Sequence, residues 1–428
     1  MPSAAPVSVG YQRYVLVMMA LVSVLNMADR QVLSILIEPI KAELQLSDTQ
    51  MGALTGLSFA LFHTFACIPI ALWADRWVRT RIIAFGVGTW SLLTMLTGWS
   101  GSFMSLFAIR VGVGVGEATG AAPAHSLVSD YFPPARRAWA LSILIFGAPV
   151  GSMLAFGAGG WLNEWLGWRA VFFWFGGAGL LVAPLIYFTV REPARGQSEG
   201  HISDSDAPPL RQGLAYLLGL PSFRHLLLAS GLNAAANYTF LIWAAPFLMR
   251  VHGMGTGEAG TYLALGFSIA NGVGVIIGGR ITDRLGDRDS RWIIWMPALS
   301  SALVAPFAWG FVLSPDLRMA IPCLAVAGLL NAVYLGPLYA AGQNLATPGV
   351  RALASALIQL VNTTLGLGVG PLLVGWINDL GSARYGAGAI RYSIAVMLFA
   401  HWWAVLHLLG AARTYRADLA RRVEEGNQ

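Results

Sequence analysis

Four ionisable residues stand in hydrophobic runs where charge is expensive: Asp29 and Arg30 in one, Arg110 and Glu117 in another. An ionised side chain at bilayer depth costs at least about 2.5–3.5 kcal/mol, so such residues face a partner or a wet cavity. Two carboxylates among two guanidinium groups can do proton chemistry: Arg110 is positioned to choose between Asp29 and Glu117, and protonating either acid would change that choice. At 1.5 Å per residue, Asp29 and Arg110 sit at about the same depth, roughly 10–12 Å below one membrane surface. Glu117 lies two helical turns deeper, on the same face as Arg110. We therefore expect Asp29, Glu117 and Arg110 to carry proton coupling, and Arg30, Arg110 and Glu117 to meet a substrate. The plainer alternative is that the four form structural ion pairs.

The second half of the chain has no comparable charge before its loops. It offers Asn233, Asn237, Tyr238, Asn271, Asn331, Tyr334, Tyr339, Gln359 and Asn362 amid apolar residues. Asn237, Tyr334 and Asn362 are expected to contribute a neutral, amphipathic wall to the substrate site. Any one of them also reads as a helix-packing hydrogen bond. His401 and His407, beside Trp402 and Trp403, read as interfacial anchors.

These residues must be held by membrane helices. Of the 428 residues, 56% are hydrophobic and 11% charged, against about 25% charged in a soluble domain. Apolar runs of roughly 20 residues recur throughout, each long enough to span a bilayer as a helix. They are too continuous for barrel strands. Twelve spans are expected, centred near Ser23, Ala60, Ser91, Glu117, Val150, Leu180, Asn237, Gly272, Ala302, Leu330, Asn362 and Leu398, so the fold class is all-α. Residues 1–190 would form a first six-helix bundle and 222–412 a second. A Pro-, Ser- and Gly-rich linker at 191–221 joins them, and 413–428 is a charged tail.

The net charge of +6 follows the positive-inside rule, with most basic residues on cytoplasmic segments when both termini are inside. It orients the chain and does not call for nucleic acid. Lys41 is the one lysine and follows no glycine-rich turn, so no phosphate-binding P-loop is expected. Cys67 and Cys323 fall within spans, which supports neither a disulfide nor a metal cluster. No cofactor is expected. The segment from Gly112 to Gly120 resembles a dinucleotide loop, but no strand precedes it; its glycines at fourfold spacing suit close helix packing. Gly56-Leu57-Ser58-Phe59-Ala60 and Gly266-Phe267-Ser268-Ile269-Ala270 lack the closing glycine of a nucleophile elbow, and no zinc-protease motif occurs, so an enzyme is not expected.

One short basic loop occurs twice. Asp75-Arg76 and Asp283-Arg284 lie 208 residues apart, each joining two apolar runs, which is the layout of a two-bundle transporter. These four residues are expected to gate movement between the bundles. The arginines could meet anionic lipid; the plainer alternative is orientation by charge alone.

With these loops, and with Arg110 followed by Gly112, Gly114 and Gly116, the chain resembles the major facilitator superfamily. Ala71 and Val78 stand where that family's first loop usually has glycines. Within the superfamily it is most similar to the Spinster family. The residues that carry this are Asn26-Met27-Ala28-Asp29-Arg30, Gly114-Val115-Gly116-Glu117-Ala118, Ala148-Pro149-Val150-Gly151-Ser152 and Asp130-Tyr131-Phe132-Pro133-Pro134. An Asp-Arg pair and a Gly-Glu-Ala triplet also occur in anion:cation symporters. The Spinster resemblance implies proton-coupled transport of an amphipathic anionic lipid, such as a lysophospholipid or a sphingoid phosphate. Small organic anions are the alternative cargo, and a ligand sensor without flux is a second alternative. A monomer in the cell inner membrane, with both termini cytoplasmic, completes the expectation.

Overall fold

The computed structural model describes residues 8–74, 77–193, 209–286 and 288–426. Twelve long helical stretches follow one another, each covering one expected span. In the first half these are α1 (Val9–Ile35), α2 (Asp48–Gly52, Ala53–Leu57 and Ser58–Ala74 end to end), α3 (Arg79–Thr97), α4 (Phe103–Glu117 and Ala121–Tyr131), α5 (Pro134–Leu166) and α6 (Trp168–Thr189). In the second half they are α7 (Pro221–His252), α8 (Thr256–Tyr262, Leu263–Ser268 and Ile269–Gly286), α9 (Trp292–Leu313), α10 (Leu317–Asn331 and Leu335–Leu345), α11 (Arg351–Val361, Asn362–Val369 and Gly370–Tyr385) and α12 (Ala389–Gly426). No strand occurs among the described residues. In the connection between the halves, Leu210–Gly219 is helical. It packs closely on the start of α11, where a Cβ added to Gly213 would meet Leu353 and, just before the helix, Val350.

Within the first half α1 packs on α5 and α3 on α6; within the second α7 packs on α12 and α9 on α12. Glycine sets several of these approaches. A Cβ on Gly112 would lie 2.8 Å from Leu93, and one on Gly116 2.9 Å from Trp90. The glycine-rich stretch of α4 is thus a close-packing surface against α3, the arrangement that small residues permit in membranes.

The two halves meet along two seams at one end of the molecule, and the seams are copies of each other. In the first, a Cβ on Gly52 of α2 would lie 2.5 Å from the Pro371 carbonyl of α11, and one on Gly375 2.2 Å from the Asp48 carbonyl. In the second, Gly260 of α8 stands 2.1 Å, by the same measure, from the Phe156 carbonyl of α5, and Gly160 2.4 Å from the Thr256 carbonyl. Gly52 and Gly260 keep the 208-residue spacing of the duplicated loops. A carboxylate closes each seam. Asp379 accepts the Asp48 and Thr49 amides at 3.0 and 2.8 Å, and Glu164 accepts the Gly257 amide at 2.8 Å. Among the described residues, the first seam alone adds a salt-bridge cluster: Arg250 binds Glu38 at 2.6 Å and Asp48 at 2.5 Å, and Lys41 also binds Asp48. This end of the molecule is sealed.

Candidate transport site

Helix α4 stops at Glu117 and resumes at Ala121, well inside its span. The glycine-rich run before the break weakens helix by about 1 kcal/mol per glycine relative to alanine. The Thr119 hydroxyl takes over part of the lost bonding by donating to the Gly116 carbonyl at 2.8 Å. Helix α10 breaks in the same way between Asn331 and Leu335. Paired interruptions at corresponding positions in two halves mark binding sites in transporters.

The first break carries the charge. Arg30 of α1 donates from Nε to Glu117 Oε2 at 2.6 Å, and Asn26, one turn earlier, donates to the same oxygen at 3.0 Å. Glu117 is 1% exposed. Removing Arg30, whose side chain is 17% exposed, would leave the Glu117 carboxylate charged and dry, at a cost of about 3–5 kcal/mol. Arg110 is also buried, and it makes no side-chain ion pair with either acid. Its Nη1 lies 3.4 Å from the Asp29 carbonyl oxygen and its Nε has no partner. Asp29 accepts from Thr94 at 3.2 Å. Both guanidinium groups lie over the Phe59 ring, Arg30 at 4.7 Å and Arg110 at 5.5 Å. The structure thus brings Asp29, Arg30, Arg110 and Glu117 together. It gives Glu117 to Arg30, where spacing along the chain had pointed to Arg110 as the shared partner.

In the second half the polar residues largely satisfy one another. Asn331 donates to Asn237 Oδ1. Ser230 donates to Asn362 Oδ1 at 2.7 Å, and Tyr339 donates to Gln359. Tyr334 sits at the α10 break and is 4% exposed. His401 is not an interfacial anchor. It is 2% exposed and bonds Asn233 at 2.9 Å, because α12 packs its face along α7. His407, by contrast, is half-buried against His225.

Of the expected gating residues, Asp75 and Arg76 lie outside the described residues, as does the side chain of Asp283; Arg284 is exposed. The neighbouring Arg79 is 2% exposed and binds Asp130 at 2.5 Å, Glu192 at 2.7 Å and Ser126 at 2.7 Å. It ties the start of α3 to the ends of α4 and α6. Replacing Arg79 with alanine should cost about 2 kcal/mol, less than for a fully buried pair because the carboxylates are partly exposed. A melting temperature of the detergent-purified protein lowered by about 2–5 °C is the expected reading; an unchanged one would show the network to be idle.

The sequence gives no site role to Asn26, which enters with the Spinster resemblance, or to Phe59 and His63. His63 stacks on Phe59 with centroids 5.0 Å apart and donates from Nδ1 to the Gly114 carbonyl at 3.0 Å. The 208-residue spacing held the signal, since Phe59 and His63 match Phe267 and Asn271.

Residues 19–371 match the sequence profile of the Major Facilitator Superfamily. The chain belongs to the major facilitator superfamily. A major facilitator-type efflux pump of Mycolicibacterium smegmatis is 33% identical over 403 residues, spanning 94% of this chain and 92% of that one. Protein spinster homolog 1 of Homo sapiens is 30% identical over 253 residues, 57% of this chain and 47% of that protein. The crystal structure of a bacterial homolog of the human lysosomal transporter Spinster, inward-facing and unoccupied, superposes with a TM-score of 0.86. It is 30% identical and covers 96% of this chain and 99% of its own. The two half-bundles with their broken helices are thus those of a multi-pass major facilitator transporter similar to Spinster, and not of an enzyme.

Proposed function

We propose that this major facilitator is a proton-coupled secondary transporter that carries an amphipathic anionic lipid, such as a lysophospholipid or sphingoid phosphate. The observation that carries the reading is the buried Glu117 held by Arg30 and Asn26, with Arg110 beside it unmatched by a side-chain acid. A proton on Glu117 frees Arg30. Arg30 and Arg110 then present two guanidinium groups to one anionic head group, and proton and cargo become linked through a single arginine. The neutral second half, with Tyr334 near the paired break, suits an acyl chain. The lipid is what the sequence's resemblance to the Spinster family implies, and the likeness to an efflux pump supports outward movement.

In this reading residues 1–190 and 222–412 rock as two bodies about the site. The sealed end faces outward, the duplicated loops and both termini lie in the cytoplasm, and a monomer works in the cell inner membrane. Alternating access opens the glycine seams and closes the opposite end.

Flux into proteoliposomes, with and without an imposed pH gradient, tests the proposal with a labelled lysophospholipid and a small organic anion side by side. Gradient-stimulated lipid flux is expected. Stimulated flux of the organic anion alone would replace the lipid with that cargo. Binding without flux of either would make the protein a sensor.

A further inference from the structure

The two helix breaks are built alike, down to single hydrogen bonds. In an unbroken helix the Ala118 amide would serve the Gly114 carbonyl, and the Ala332 amide the Gly328 carbonyl. At the breaks both amides turn to nearer carbonyls, Ala118 to Gly116 and Ala332 to Leu330. Each glycine carbonyl takes a side-chain donor from the neighbouring helix instead. His63 of α2 donates to Gly114 at 3.0 Å, and Asn271 of α8 donates to Gly328 at 3.3 Å. The crossings share one close approach. A Cβ on Gly114 or on Gly328 would stand 2.9 Å from the carbonyl oxygen of Phe59 or Phe267, respectively. Three residues beyond each glycine stands a polar side chain bonded to an asparagine: Glu117 to Asn26, and Asn331 to Asn237.

We propose that His63 and Asn271 are positioning residues: each latches one helix break through a glycine carbonyl, and His63 thereby sets Glu117 against Arg30. The latch needs one N–H donor, and a histidine and an asparagine both supply it. A buried carbonyl left without its donor costs about 1–3 kcal/mol. His63 keeps its Nδ1 proton in both its neutral and its charged form while it holds Gly114. The latch is therefore constant with pH, and the titrating group is Glu117. Around that group stand Arg30, Asn26 and Asp29 of α1 and Arg110 of α4, and Arg30 in turn faces Cys67 of α2 (Sγ 3.6 Å from His63 Nε2) and Tyr238 of α7. The two latches hold unlike cargo. The first orders an acid, and the second orders a neutral pair.

The inference rests on the proton-coupling reading for its consequence in transport, but its geometry is tested separately. Hydrogen–deuterium exchange of the purified full-length protein, read at 118–120 and 332–334, follows the latches directly. H63L should raise exchange at 118–120 by about tenfold, the equivalent of one lost buried hydrogen bond, and H63N should restore it to within about threefold of wild type. N271L should do the same at 332–334. In flux, H63L should move the pH midpoint and H63N should return it, whereas N271L should lower flux with the midpoint unmoved, because Asn331 and Asn237 do not titrate.

Unchanged exchange in H63L, or H63N as loose as H63L, overturns the proposal. Should H63L fail to fold, the swap H63N/N271H keeps a donor at both breaks. Protection within about threefold of wild type then supports the latches, and its loss overturns them. A wild-type flux independent of pH would refute proton coupling, while the exchange measurement would still decide the latches.

Discussion

Replacing Gly260 with leucine should stop transport by holding the sealed end open. The Cβ of any residue there would come 2.1 Å from the Phe156 carbonyl oxygen, and that neighbour is backbone, which cannot rotate aside. Overpacking a well-filled contact costs about 1–3 kcal/mol or more. The cost falls only on the state in which α5 and α8 touch, so the conformational equilibrium shifts and the fold survives. Gly52→Leu, facing the Pro371 carbonyl across the other seam, should act in the same direction. A membrane-impermeant maleimide applied from the sealed side reads the shift at Ala60→Cys, with Cys67 and Cys323 replaced by serine, since Ala60 is fully buried beneath the seam. Labelling at least about tenfold faster in the Gly260→Leu background is expected. Equal labelling in both backgrounds would mean that the seam is not what closes this end.

Glu117→Gln should reduce stimulation by a pH gradient from its wild-type value to about onefold. The carboxamide keeps the shape of the side chain and can still accept from Asn26 and Arg30, but it cannot exchange a proton. Because Arg30 loses a charged partner within a buried site, its attraction to an anionic head group grows, and binding should be retained or tightened while driven flux disappears. Asp29→Asn is the companion variant: Asp29 bonds Thr94 and makes no side-chain ion pair with Arg30 or Arg110. A smaller effect on gradient stimulation is expected there. Full stimulation remaining in Glu117→Gln would remove this carboxylate from the coupling.

Much of the architecture is readable from the chain. A backbone in hydrocarbon has to satisfy its own hydrogen bonds, so every span leaves a long apolar run, and all twelve expected centres fall within helices of the structure. The duplicated Asp-Arg loops announced two related halves. Depth arithmetic also set Asp29 and Arg110 level, and the structure puts the Arg110 guanidinium beside the Asp29 carbonyl. Fourfold glycine spacing in α4 marked close packing, which Leu93 and Trp90 supply.

The rest depended on how each helix is turned about its axis. Asp29 and Arg30 are neighbours in sequence and point about 100° apart, and nothing local says which of them faces α4. Packing of α1 along α5 decides it, turning Arg30 and Asn26 to Glu117 and Asp29 to Thr94. The burial of His401 has the same origin in the contact of α12 with α7. The helix breaks were hidden too, because a glycine in an apolar run reads equally as a packing surface or as an interruption. Sequence by itself determined the number, length and twofold repetition of the helices, since those follow from what a bilayer requires of each segment alone. Only the tertiary structure decided which acid meets which arginine, where α4 and α10 break, and that glycines 208 residues apart seal one end. Those depend on helix rotation and close approach, which are set by contacts between residues far apart in the chain.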